Sequence, residues 1–140
     1  MNSIPPDVFE RVHELAVDIA NASSAGDGVL CASLFQTFCA YYEEQNALGR
    51  SHPFLTEAMA DQTHDPAAAA RLYALALEQA RAFPDETTHT KMIDLAERLI
   101  ALGRAELAEA YLRDGRAEAV RCGEIYYVES ADRLLRKLAG

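Results

Sequence analysis

The sequence predicts an all-α protein of about seven helices, and three observations carry that expectation. Half of the 140 residues are hydrophobic, and these are mainly Ala and Leu with few β-branched or aromatic residues, a balance that favours helix over strand. The apolar residues recur at steps of three and four rather than alternating, so each periodic stretch lays a stripe along one helix face. The five prolines and seven glycines fall mostly between those stretches and punctuate them. A chain of this length buries one sizeable core, so a single domain over residues 1–140 is expected.

Pro5-Pro6-Asp7 places prolines and an acid at the first turn of a helix that runs to about Ala22, with Val8, Val12, Leu15, Ala16 and Ile19 inward. Asp27 caps a second helix from Gly28 to about Leu48, whose stripe holds Cys31, Leu34, Phe35, Phe38 and Tyr42, and Gly49 closes it. Ser51-His52-Pro53 opens a short helix carrying Phe54, Leu55, Ala58 and Met59, which ends near Thr63-His64. Asp65-Pro66 starts the fourth, which packs Ala69, Leu72, Tyr73, Ala76, Leu77 and Ala80 and gives way before Pro84-Asp85.

Thr87 or Thr88 caps the fifth helix, which carries Met92, Leu95, Ala96, Leu99 and Leu102 on one face. Gly103 takes the left-handed conformation that ends it. The sixth helix repeats the pattern with Leu107, Ala108, Tyr111, Leu112, Ala119 and Val120 up to Gly123. Because their connection is so short, the two fold back antiparallel with these stripes facing. The last helix, Glu124 to Ala139, turns Ile125, Val128, Ala131, Leu134, Leu135 and Leu138 inward, and Arg133, Arg136 and Lys137 suit its C-terminal end through the helix dipole.

The stretch Leu95-Ala96, Leu99, Gly103, Ala108 and Leu112 resembles the tetratricopeptide repeat, a helix-turn-helix unit of about 34 residues with a Leu and small residue on its first helix and a Gly in its turn. Gly115 stands where that family usually has a second Ala, and no Pro closes the unit. Ala69, Tyr73 and Ala76-Leu77 match the family's second helix, and Cys31, Phe35 and Phe38 match it more weakly. The resemblance implies a short right-handed solenoid of hairpins at about 5–48, 52–83 and 88–123 with a terminal capping helix over 124–139.

A formal net charge of −9 argues against nucleic acid and against an anionic membrane surface as partners, since both call for clustered Lys and Arg; a basic protein or peptide suits it. No apolar run approaches a membrane span and the first residues lack the pattern of a secretory signal, so a cytoplasmic protein is expected. Cys31, Cys39 and Cys122 form no C-x-x-C pair and read as reduced core thiols. Glu10/His13 and Glu86/His89 have the E-x-x-H spacing used by helical di-iron proteins, but both pairs lie near a helix start rather than in mid-bundle. His52 and His64 flank the third helix as surface or capping groups. No nucleophile elbow, phosphate loop or paired-Cys zinc spacing is present, so neither catalytic residues nor a cofactor nor a metal is assigned.

The expectation is therefore a non-enzymatic binding module, a scaffold or adaptor that holds a segment of a partner protein. An immunity or antitoxin-type inhibitor, acidic because it covers a basic toxin or enzyme, is the alternative; a helical metal-dependent enzyme is a remote third. The repeat resemblance implies a concave groove lined by the first helix of each hairpin, with Thr90, Ile93, Asp94, Glu97, Ile100 and Ala101 as its candidate residues. Tyr41, Tyr126 and Tyr127 are candidate exposed aromatic contacts, because two adjacent helical tyrosines do not both face the core. Oligomeric state stays open.

Overall fold

The computed structural model describes residues 3–140, and these form seven α-helices with no strand: α1 Pro6–Ser24, α2 Gly28–Ala47, α3 Pro53–Asp61, α4 Pro66–Ala80, α5 His89–Ala101, α6 Ala105–Cys122 and α7 Ile125–Ala139. Their boundaries follow local chemistry. The Asp27 carboxylate accepts the Leu30 amide at 3.0 Å, and Asp65 does the same for Ala68 at 2.9 Å, so α2 and α4 start where an acid satisfies an otherwise unpaired N–H. At α3 the cap is His52, whose Nδ1 accepts the Phe54 amide at 3.0 Å. Its ring is buried against Phe83, with centroids 4.4 Å apart, rather than lying on the surface. Neither threonine caps α5 as expected: Thr88 occupies the cap position without a side-chain bond, and the Thr87 hydroxyl turns to that of Thr90 at 3.2 Å.

Only Leu102, Gly103 and Arg104 separate α5 from α6, so α6 folds back along α5. Gly103 makes the reversal with φ +76°, a conformation that costs a residue with a Cβ about 1–2 kcal/mol. Leu95, Ala96 and Leu99 then meet Ala108 and Leu112, and Ala69, Tyr73, Ala131 and Leu134 join them in one buried cluster. A second cluster holds Val8, Val12, Leu15, Phe38, Leu55 and Met59 from the first three helices. Leu72 of α4 packs against both, which makes the apolar interior continuous. Each helix packs on the next in the chain, and α1 also touches α3 as α5 touches α7.

Gly115 explains the departure from small-residue spacing on α6. A Cβ built there would stand 2.9 Å from Ile93 Cγ1 and 3.2 Å from Met92 Cβ, so the α5 and α6 backbones come closer at this point than even an alanine allows. We expect Gly115→Val to cost about 2 kcal/mol through overpacking, read as a lower urea midpoint with unchanged slope. Wild-type stability in that variant would show that α5 and α6 do not approach so closely.

Helix α2 differs from the others in being apolar on several sides while burying fully only Phe38 and Gln45. Cys31 and Cys39 are half-buried, but Cys122 is exposed at the end of α6, so it is not the core thiol its apolar neighbours suggested. None of the seven helices is long and apolar enough to cross a membrane.

Candidate functional site

The helix period sets four charged positions on facing surfaces of two helices. Glu57 and Asp61, four apart, share a face of α3; Lys91 and Asp94, three apart, share a face of α5. Lys91 is completely buried, and its three donors are all used: Glu57 Oε1 at 2.9 Å, Glu86 Oε1 at 3.2 Å and the Thr87 carbonyl at 2.6 Å. The ammonium thus ties α3, α5 and the α4–α5 loop together. Arg98, one turn beyond Asp94, lies over the Tyr73 ring at 5.6 Å from the centroid and 3.8 Å from Glu97.

With both cations engaged, Asp61 and Asp94 have no ion-pair partner within 4.0 Å among the described residues. Asp94 is held back from water by its surroundings and faces Asp61, Glu57 and Glu97, which together push its pKa up to about 7 against the weaker pull of Arg98. Asp61 keeps an open edge at the end of α3 but turns its carboxyl onto Tyr73, whose O–H donates to it at 2.5 Å. Desolvation and the neighbouring Glu57 raise it to about 6, although the Tyr73 hydrogen bond works in the opposite direction. Burial and then the charges of Asp94, Glu57 and Asp61 push the Tyr127 phenol of α7 up to about 12. Glu57, Asp61 and Asp94 therefore crowd one another along α3 and α5, with Tyr127 of α7 beside them, and Lys91 and Arg98 offset only part of that charge.

Beside these carboxylates lies an apolar cleft between α1 and α3. Phe9, Val12, Ala16, Phe38, Phe54 and Ala58 line a volume of about 210 Å³, with Glu57 and Asp61 in its wall. Phe9 is 48% exposed; its ring stacks on His13 at 6.5 Å and meets Phe54 at 5.5 Å. A further hollow of about 560 Å³ continues between α1 and α2 past Ile19, Cys31 and Phe35, and it shares Ala16, Asp61 and Gln62 with the first.

Of the residues that the sequence suggests for a groove, Asp94 stands among these carboxylates, Glu97 beside it, and Thr90 and Ile100 are half-buried on the same helix. Ala101 is exposed at the end of α5. Ile93, only 2% exposed, packs toward Gly115 of α6 and presents no accessible surface. Tyr126 is 71% exposed, whereas Tyr127 is half-buried edge-to-face against His89 at 5.2 Å and Tyr41 is half-buried against the second core cluster, that of the first three helices. Neither member of the Tyr41-Tyr42 pair is fully exposed, because α2 wedges both sides against α1 and its neighbours.

Glu57, Asp61, Lys91, Phe9 and Phe54 are not marked as site residues by the sequence. A signal existed for the first pair, since like charges four apart on a nine-residue helix oppose helix formation and call for an explanation. The E-x-x-H pairs dissolve into other roles: Glu10 and His13 are exposed, Glu86 binds Lys91, and His89 is buried with Nε2 3.8 Å from Glu124. Comparison with protein-family models, with curated proteins and with solved structures finds no match for this chain.

Proposed function

We propose that this protein is a non-enzymatic binding module, similar in plan to a tetratricopeptide hairpin array, that holds a basic segment of a partner protein along the α3, α5 and α7 side. The observation that carries the reading is the crowding of Asp61 and Asp94 with Glu57 and Glu97: neither aspartate has an ion-pair partner within 4.0 Å among the described residues, and Lys91 and Arg98 offset the charge only in part, so a partner's cation finds counter-charge there. The packing order supports the hairpin plan, since successive helices pair, α1 meets α3 and α5 meets α7. A net charge of −9 adds long-range attraction for a basic partner.

The test is affinity purification from the native extract with wild-type protein and with an Asp61→Asn, Asp94→Asn double variant, at low and at high salt. We expect a basic protein retained by the wild type at low salt and lost both from the variant and at high salt. A retained set indifferent to the variant and to salt would overturn the proposal. One stoichiometric partner that leaves only slowly would point to an inhibitor, and several weakly held partners to an adaptor.

A further inference from the structure

We infer that the α1–α3 cleft is the anchoring subsite of this surface, taking one large apolar side chain of the partner segment while a Lys or Arg of the same segment reaches Asp61 and Asp94. The inference rests on the binding reading above and adds the chemistry of the occupant.

The first argument is the lining. Phe9 and Phe54 meet at the cleft, Val12, Ala16, Phe38 and Ala58 supply the rest of its apolar wall, and His13, Glu57, Asp61 and Gln62 complete it. Leaving such a surface in water is unfavourable by about 25 cal/mol for every Å² of apolar area, so a partner side chain that covers it gains that contribution. Phe9 does not owe its half exposure to lack of a neighbour, since it already stacks with His13 and Phe54. It is held as a rim.

Charge complementarity selects the occupant. Glu57 and Asp61 stand in the cleft wall, and Asp94 faces Asp61 from α5. A second copy of this chain brings 22 acidic against 13 basic residues and is repelled from such a place, as is an anionic membrane. A basic amphipathic segment is attracted. The helix also sets its spacing: Phe54 and Asp61 are seven residues apart on α3, a rise of about 10 Å at 1.5 Å per residue. A helical ligand lying along the cleft spans that distance with its apolar and cationic residues about seven positions apart, and an extended one with about three.

The experiment is selection of a random 16-residue peptide display library on the wild-type protein, followed by affinity measurement of the enriched peptides on folded variants. The expected result is enrichment of a large apolar residue with Lys or Arg at one of those two spacings. Affinity should fall about tenfold or more both in Phe9→Gln and in Ala58→Met, which fills the cleft, with circular dichroism melts confirming that each variant folds. The Asp61→Asn, Asp94→Asn variant should weaken binding as well. Basic peptides that need the carboxylates but ignore Phe9→Gln and Ala58→Met would overturn the anchor and leave the binding reading standing. No enrichment, or binding indifferent to every variant, would overturn both.

Discussion

Lys91→Met is expected to cost about 3–5 kcal/mol, because it leaves Glu57 and Glu86 facing each other without the charge that joins them. Against a total stability of about 5–15 kcal/mol for a domain, that brings the variant close to unfolding at physiological temperature. The loss is electrostatic rather than steric, since Met fills much of the volume of the lysine stem. A triple variant, Lys91→Met with Glu57→Gln and Glu86→Gln, should therefore regain most of the stability. Both carboxylates retain some contact with water, with side-chain exposures of 16% and 21%, which places the expected single-variant loss toward the lower end of the range. Urea unfolding of the wild type, the single variant and the triple variant decides the matter. If the triple variant is as unstable as the single one, the methionine disturbs packing and the ion cluster is not what holds α3 to α5.

The same lysine marks the limit of what local sequence encodes. Local chemistry was legible: Asp27 and Asp65 cap, Gly103 and Gly123 reverse the chain, and Leu95, Leu99, Ala108 and Leu112 meet, because each depends on neighbours within a turn or on a short hairpin. Lys91 depends on Glu57 of a different helix, so nothing in its own surroundings announced that it is buried. Ile93 failed as a groove residue for the converse reason. Helical phase alone sets it on the side facing a partner, but Gly115 on α6 opens a recess that draws it inward. The position of Asp94 on α5 was legible, but its crowding by Asp61 was not, because that comes from how α3 and α5 are juxtaposed. The α1–α3 cleft was invisible for the same reason. Phe9 looks like an ordinary apolar residue until Phe54 and His13 are seen beside it.

Asp94→Asn is expected to stabilise the protein at pH 8 by about 2 kcal/mol, with less than half of that gain left at pH 5 and almost none near pH 3. The sign follows from the direction of the shift. A carboxyl raised from its ordinary 3.8 to about 7 holds its proton in the native state over a range where the unfolded chain has released it. Its contribution is most favourable below the unfolded value and is lost as pH rises from about 4 to about 7, beyond which the ionised form burdens the fold. Each pKa unit corresponds to about 1.4 kcal/mol, and the partial water contact of Asp94 reduces the full figure to about 2 kcal/mol. Asp61→Asn should act in the same direction over a lower window, from about 4 to about 6, and less strongly because its edge is open to solvent. Thermal melts of wild type and both variants at pH 5 and pH 8 provide the check, with the difference between proteins isolating these two groups from the histidines and the surface pairs. At roughly 3–4 °C per kcal/mol for a chain of this size, the pH 8 gain for Asp94→Asn is several degrees. A gain independent of pH, or none at all, would show that Asp94 is not crowded by its neighbours. A gain that grows with pH has a functional meaning as well: the native residues cost stability at neutral pH that a single amide would restore, which is the expected relation for groups held ready for a cation supplied from outside.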